Sequence, residues 1–281
     1  MEDAVKAATL RAESFTLVAI AAASAVDDVH AAVEALVRTS GVRPIVVTLG
    51  DNPEPVLTHR DRTAVLEGLL PRYLNNAVAA LRLSSLPAVA WWREPSTEGL
   101  AELGELVDRV VLDVENPSAV WAMVPQLSTR TAVSDLRWTR LTRWRDLFAQ
   151  FFDMPEVRDR AGEFTRLEIS AIDRASALLF AGWVVSRLPG GDRLEVSIAP
   201  DSTPVPTRSL QLTSEGITLS LRLLPSDACV ETIVSLPGAA PASRVVAIGD
   251  QGLAALMGQE LRVRTRDKSF EDAVVAAGGI Q

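Results

Sequence analysis

The 281-residue chain carries 28 Lys and Arg against 36 Asp and Glu, a net charge of −8 at pH 7, and it has no Lys/Arg-rich block. Because nucleic acid and anionic membranes bind to basic surfaces, this charge argues against both as partners. Hydrophobic residues make up 48% of the chain, enough for a sizeable core, and the length suggests about two domains.

The first half of the chain reads as strands alternating with helices. Short apolar runs predict four strands, and segments with apolar residues at helical spacing predict the helices between them. The expected order is strand 15–23, helix 26–39, strand 44–49, loop 53–62, helix 63–83 with a break near Pro71, strand 88–92, helix 98–106 and strand 109–113. This repetition predicts an α/β domain with a mainly parallel, Rossmann-like sheet.

The second half has a different pattern, in which strand-like runs are separated by turn residues. It predicts a smaller α+β domain with mostly antiparallel strands. The expected strands are 163–170, 194–198, 208–213, 218–223, 230–235 and 245–248, and the expected helices are 175–187, 252–259 and 270–276, the last capped by Asp267. We place the two domains at 1–153 and 163–281.

The beginning of the chain and its cysteine content both bear on localisation. An apolar run at 15–25 has the length of a signal-peptide core, but Glu2, Asp3 and Glu13 precede it, whereas a secretory leader is net positive there. The run is too short to span a bilayer. A single cysteine, Cys229, rules out an internal disulfide. We therefore expect a cytoplasmic protein that is not inserted in a membrane.

The sequence lacks the usual signatures of catalysis and cofactor binding. The turn after the first strand, residues 21–28, has no glycine for a phosphate and ends in Asp27 and Asp28. The two histidines, His30 and His59, have no ligand partners at metal-binding spacing. We therefore expect no catalytic residues, no metal and no cofactor.

Aromatic residues form only 5% of the chain, yet eight of them lie between positions 91 and 152. In the strand AVAWWREP, Trp91 and Trp92 face opposite sides of the sheet. This is the carboxyl end of a parallel strand, where ligands of open α/β sheets bind, and Arg93 is the residue there suited to an anion.

The second aromatic group is SDLRWTRLTRWRDLFAQFFD at 134–153. Either one helix covers this segment, or a helix begins with Thr142 as its N-cap and leaves 136–141 extended. Arg145 lies on the apolar stripe and must be paired or stacked, either within the chain or at a partner surface. Tryptophan and arginine are enriched where proteins anchor on each other, so the candidate partner-binding residues are Trp91, Trp92, Arg93, Trp138, Arg140, Trp144 and Arg145.

These segments resemble the glucose-6-phosphate dehydrogenase assembly protein family, OpcA. The resemblance rests on LPAVAWWREP at 86–95, RVVLDVEN at 109–116, the 134–153 segment and LMGQELRVRTRDKSFEDAVVAA at 256–277. The family often has a proline where this chain has Arg143. Members regulated through thiols need a cysteine pair, which this chain lacks.

The resemblance implies a non-enzymatic assembly factor and allosteric activator. Such a protein binds glucose-6-phosphate dehydrogenase and promotes its oligomerisation and activity in the oxidative pentose phosphate pathway. The alternatives are a sugar-phosphate or nucleotide-binding α/β protein, with or without enzyme activity, and a purely structural subunit of a larger complex.

Overall fold

The computed structural model describes residues 13–52, 54–171, 173–200, 209–225 and 228–280. The described residues form two compact units, each assembled from separate pieces of the chain. The first unit comprises the described residues of 13–115, 129–132 and 253–265, and the second comprises those of 116–128, 133–252 and 266–280. Compactness does not show which parts fold independently, so the domains 1–153 and 163–281 stay a prediction.

Thirteen strands occur in the described residues, and they form two sheets. They are β1 Phe15–Ala21, β2 Val42–Leu49, β3 Val56–Arg60, β4 Thr63–Leu69, β5 Ala88–Arg93, β6 Arg109–Leu112, β7 Ala132–Asp135, β8 Arg166–Ala171, β9 Glu195–Pro200, β10 Ser209–Ser214, β11 Ile217–Leu223, β12 Cys229–Ser235 and β13 Ala242–Ala247.

Eleven α-helices connect and cover these strands in the same residues. They are α1 Val26–Thr39, α2 Leu74–Leu81, α3 Leu100–Gly104, α4 Ser118–Ala122, α5 Val124–Leu127, α6 Leu136–Arg140, α7 Thr142–Ala149, α8 Pro155–Arg158, α9 Arg174–Arg187, α10 Leu253–Glu260 and α11 Lys268–Ala277.

The first sheet is mostly parallel, as the sequence predicts. Its order is β3-β4-β2-β1-β5-β6-β7, and β3 runs antiparallel to β4. β1 is fully buried from Leu17 to Ala21 because helices cover both faces of a doubly wound sheet. The carboxyl ends of β1 and β5 lie side by side, with Ala21 opposite Arg93.

Two expectations for the first unit are wrong. The predicted loop at 53–62 contains β3, and the predicted helix at 63–83 begins with β4 and becomes helical only from Pro71. Asp61 adopts a left-handed φ of 51°, which turns the chain from β3 into β4. Apolar residues in β4 then pair with the interior strand β2, and this pairing outweighs their helical spacing.

A buried ion pair anchors helix α10 to the sheet of the first unit. The Arg109 Nη2 lies 2.7 Å from the Glu260 Oε2, and the two side chains are only 5% and 4% exposed. The Arg109 Nη1 also donates to the carbonyl oxygen of Thr265 at 3.2 Å. Because both charges have hydrogen-bond partners, the pair is tolerated inside the protein.

The second sheet is mostly antiparallel, again as predicted. Its order is β13-β12-β11-β10-β8-β9, and the β8–β9 pair is parallel. One face packs on helices through an aromatic core in which Phe148 contacts Phe180 and Trp183 edge-on. The predicted strand 208–213 is observed as β10 from Ser209, while Arg208 lies outside the described residues.

The aromatic segment at 134–153 forms two helices and a final 3-10 turn. α6 occupies Leu136–Arg140, so the alternative of an extended stretch at 136–141 is wrong. α7 begins at Thr142, as the second alternative proposed, but Leu141 rather than Thr142 occupies the N-cap position. A short turn at Gln150–Asp153 ends the segment.

Candidate functional site

The first tryptophan pair is part of the core of the first sheet. Trp91 and Trp92 are fully buried, and their indole N–H groups are bonded within the fold. The Trp91 Nε1 donates to the Asp113 Oδ2 at 3.2 Å, and the Trp92 Nε1 donates to the Ser96 carbonyl oxygen at 3.2 Å. Such burial means that both rings support the sheet rather than present a surface.

Arg93 extends this arrangement towards the carboxyl edge of the sheet. Its Nε lies 3.0 Å from the Asp113 Oδ2, and its guanidinium carbon is 5.8 Å from the Trp91 ring centroid. The side chain is 18% exposed. Nearby, α1 begins with Asp27 and Asp28 in its first turn, and these carboxylates oppose binding of a phosphate at that helix end.

The second segment supplies a polar cluster in the second unit, in which Asp135 and Arg137 are buried. Asp135 is the N-cap of α6: its Oδ1 accepts from the Arg137 backbone N–H at 2.8 Å, and its Oδ2 accepts from the Trp121 indole at 2.9 Å. The Arg137 Nε then donates to the Asp173 Oδ2 at 2.8 Å, and Asp173 is the N-cap of α9. Two helix starts are therefore tied together through one guanidinium.

Asp173 titrates abnormally because of these contacts. Burial by itself would raise the pKa of its carboxyl, but the hydrogen bond from Ser176, the charge and hydrogen bond of Arg137 and the Ala175 amide outweigh it. The net effect holds the pKa of Asp173 below its usual range. The carboxylate is therefore stabilised in its charged form.

Trp138 connects this cluster to the N-terminus of a third helix, α11. Its indole donates to the Asp267 Oδ2 at 2.7 Å, and Asp267 is the N-cap of α11, as the sequence predicts. On the same ring lies Arg145, with its guanidinium carbon 3.4 Å from the ring centroid and its Nη2 3.2 Å from the Trp138 carbonyl oxygen. Arg145 is therefore stacked within its own chain.

The capping cluster, as we call it, thus consists of Asp135, Arg137, Trp138, Asp173 and Asp267. The sequence predicts Trp138 as a partner-binding residue and Asp267 as a helix cap. It does not identify Asp135, Arg137 or Asp173 as members of this cluster. Aspartate directly before a helical segment was the available signal for Asp135 and Asp173. Side chains committed to capping three helices serve the fold of the second unit.

A small surface pocket lies beside this cluster. It has a volume of about 40 Å³, enough for a few waters or one small apolar group. Its lining joins Arg140, Leu141 and Trp144 to residues of β8, α9 and β10, namely Ile169, Ser170, Ala171, Ser176, Ala177, Phe180, Ser209 and Leu210. Of the seven predicted site residues, Arg140 and Trp144 are thus brought together at a concave surface.

Two further properties concern the described residues only. No group of three or more His, Cys, Asp or Glu in them could hold a metal ion. None of the helices found there combines the length and apolar character needed to cross a bilayer.

The family model for the C-terminal domain of the OpcA-type glucose-6-phosphate dehydrogenase subunit matches residues 131–274, just over half of the chain. A relative from Synechocystis sp., named "Putative OxPP cycle protein OpcA", is 35% identical over 124 residues. A relative of the same name from Nostoc punctiforme is 29% identical over 124 residues. Each match covers 41% of this chain, but 26% and 27% of the relatives, so it spans about a quarter of their length.

Solved structures resemble the chain over nearly its whole length. A putative oxidoreductase from Magnetospirillum magnetotacticum MS-1 has a TM-score of 0.56 at 12% identity, covering 96% of this chain and 100% of that one. The 3-ketoreductase KijD10 from Actinomadura kijaniata, in complex with NADP, has a TM-score of 0.57 at 10% identity, covering 94% and 95%. At such low identity these similarities establish the two-domain α/β fold alone.

Proposed function

Because the chain belongs to the OpcA family, we propose that it is a non-enzymatic protein that binds glucose-6-phosphate dehydrogenase. In this proposal it promotes the oligomerisation and activity of that enzyme in the oxidative pentose phosphate pathway. The name of the family model and the names of the relatives support the link to this enzyme and pathway. We also propose a cytoplasmic location.

The observation that carries the proposal is the pocket lined by Arg140, Leu141 and Trp144, which lies within the matched segment 131–274. It combines an apolar floor with a partly exposed arginine, and pockets of this kind hold the anchoring side chains of protein interfaces. We propose that a small apolar side chain of the dehydrogenase enters the pocket while one of its carboxylates contacts Arg140.

The burial of the tryptophans refines the roles that we propose for the seven residues. The tryptophans among them are at most 7% exposed and do not contact a partner directly in this proposal. Trp91 and Trp138 instead lie against Arg93 and Arg145. In our proposal the arginines contact the dehydrogenase directly, and Arg140 is the one that we test.

The test is to mix the purified chain with glucose-6-phosphate dehydrogenase and to follow sedimentation and NADPH formation together. Arg140→Glu should raise the dissociation constant about tenfold or more, because a carboxylate then faces the partner's carboxylate. Arg158→Glu is the matched control, since Arg158 is 61% exposed in the same unit but does not line the pocket. Thermal melts must show both variants folded.

Two species that sediment independently, with unchanged dehydrogenase activity, would refute the proposal. If the complex forms but Arg140→Glu binds as well as the wild type, the pocket is not the contact. Turnover of a metabolite by the chain alone would refute the non-enzymatic part.

One observation favours the alternative of a sugar-phosphate or nucleotide site. The Nη1 of Arg93 is buried and has no hydrogen-bond partner among the described residues. An anion at the carboxyl edge of the first sheet could satisfy it, against the repulsion of Asp27 and Asp28 in α1. Thermal shift with glucose 6-phosphate and with NADP decides: stabilisation of the wild type but not of Arg93→Ala supports this alternative.

A further inference from the structure

The strand β13 forms an open edge of the second sheet. It pairs with β12 along its whole length, from Ala242 opposite Val234 to Ala247 opposite Cys229, and it stands last in the strand order. Along its other side, no strand is found in the part of the chain that the structure describes. Val245, near its centre, is 54% exposed.

This edge carries one feature that opposes strand addition, the inward-facing charge of Arg244, and lacks the others. Natural edges carry proline, lysine, inward-facing charges or bulges. β13 has the sequence ASRVVA, with no proline, lysine or acidic residue, and its register with β12 is unbroken. The opposite edge, β9, starts with Glu195 and ends with Pro200, which cannot donate a ladder hydrogen bond.

A groove of about 460 Å³ lies next to this edge. Its apolar lining comes from Leu147 and Phe151 of the aromatic segment, from Met154 directly after it, and from Val234 on the inner face of β12. On the same inner face, the Arg244 Nη2 donates to the Gln150 Oε1 at 2.6 Å. This bond directs the one charged side chain of β13 towards its own helical layer.

We propose that β13 is the interface between two copies of this chain, which pair antiparallel about a two-fold axis at Val245. The two valines then face each other on the outer side of a continuous twelve-stranded sheet. In this register Arg244 lies opposite Val246 of the second copy, so no two like charges are directly opposed. The two copies of Arg244 lie diagonally across the axis, and each already donates to its own Gln150, so the strand can pair with itself as an isologous contact requires.

The residues next to Val245 also favour a two-fold axis at this position. It lies opposite Glu231 in β12, and Glu231 is held by Arg222 of β11 at 2.6 Å. Because Glu231 already pairs with Arg222, Val245 presents an apolar side chain at the open edge. A second copy would contact the sheet at this side chain. The contact does not depend on the dehydrogenase, and it is a separate surface from the Arg140 pocket.

The test measures the self-association of the chain by sedimentation velocity over a wide concentration range. We expect a concentration-dependent dimer for the wild type. Val245→Glu and Val245→Lys should each weaken the dimer about tenfold or more, because each places like charges directly opposite one another. Val245→Glu should be the more disruptive, since Glu231 already lies beside it.

The decisive step is to mix the two variants. Glutamate now faces lysine at the axis, and the heterodimer should form again. Val275→Lys is the control, because Val275 is 64% exposed on α11, away from β13, and its replacement should leave the dimer intact.

A wild type that stays monomeric at all concentrations overturns the proposal. Dimers that survive Val245→Glu, or variants that fail to recombine, also overturn it, because the contact then lies elsewhere. Binding to the dehydrogenase is measured separately, so failure here is distinguishable from failure of the proposed function.

Discussion

Replacing Gly182 with alanine tests the close packing of α9 on α11 in the second unit. A Cβ built on Gly182 would lie 2.2 Å from the Ala273 carbonyl oxygen and 2.7 Å from the Ala277 nitrogen. Ordinary contacts begin at 3.4 Å, so the helices would have to separate by about 1.2 Å. Both contacting atoms belong to the backbone, and rotation of a side chain cannot relieve the clash.

The magnitude follows from two opposing effects. Overpacking of a core costs about 1–3 kcal/mol, and a clash with backbone lies at the upper end of that range or beyond it. Alanine recovers about 1 kcal/mol of helix propensity. We expect a net loss of about 2 kcal/mol, which corresponds to a melting temperature lower by about 4–8 °C for a chain of this size.

Calorimetry on Gly182→Ala and Gly258→Ala provides the measurement and its matched control. Gly258 also lies in a helix, α10, but its Cβ would meet nothing closer than a methyl carbon of Leu36 at 3.7 Å. Gly258→Ala should therefore raise the melting temperature slightly, through helix propensity alone. If Gly182→Ala melts at or above the wild-type temperature, the inference that α9 and α11 pack closely at Gly182 is refuted.

Substitutions of Asp173 in the second unit, and of the Arg109–Glu260 ion pair in the first, test the polar contacts of each unit. Because the folded-state pKa of Asp173 is lowered, its contribution is present above the unfolded pKa of about 3.9 and is lost as pH falls through the folded value. Asp173→Asn should lower stability to denaturant by a constant amount from about pH 5 to pH 8, and the difference should shrink below about pH 4; a difference that persists under acid would contradict this. Glu260→Ala should cost about 3–5 kcal/mol in urea unfolding by leaving the Arg109 charge buried and unpaired, and Arg109→Met with Glu260→Leu should recover most of that loss. A cost below about 1 kcal/mol for the single change would show that the ion pair is solvated.

The sequence predicts the fold class well where apolar runs are long and unambiguous. β1, β2 and α1 are confirmed because a continuous apolar run and a clear 3.6-residue repeat leave few options. The prediction for 63–69 is wrong because the apolar positions of this segment fit a helix and a strand equally. Pairing of Ile45 with Ala64 decides between them, and a single sequence does not display that contact.

The capping cluster shows the same limit at the level of the site. The sequence singles out Trp138 as unusual, but its indole binds Asp267, which is 129 residues further along the chain. The sequence also indicates that Arg145 needs a partner, and the stack on Trp138 supplies one only once α6 and α7 are bent against each other. Composition therefore identifies residues of interest, whereas their roles depend on long-range contacts.

The interleaved path of the chain has a practical consequence for dissecting it. Removing everything after residue 252 deletes α10 from one compact body and α11 from the other, so both bodies lose buried surface at once. A fragment cut near residue 158 would leave Arg109 without its carboxylate. Deletion mapping of partner binding would therefore report misfolding rather than contact, and point substitutions on an intact polypeptide are the appropriate tool.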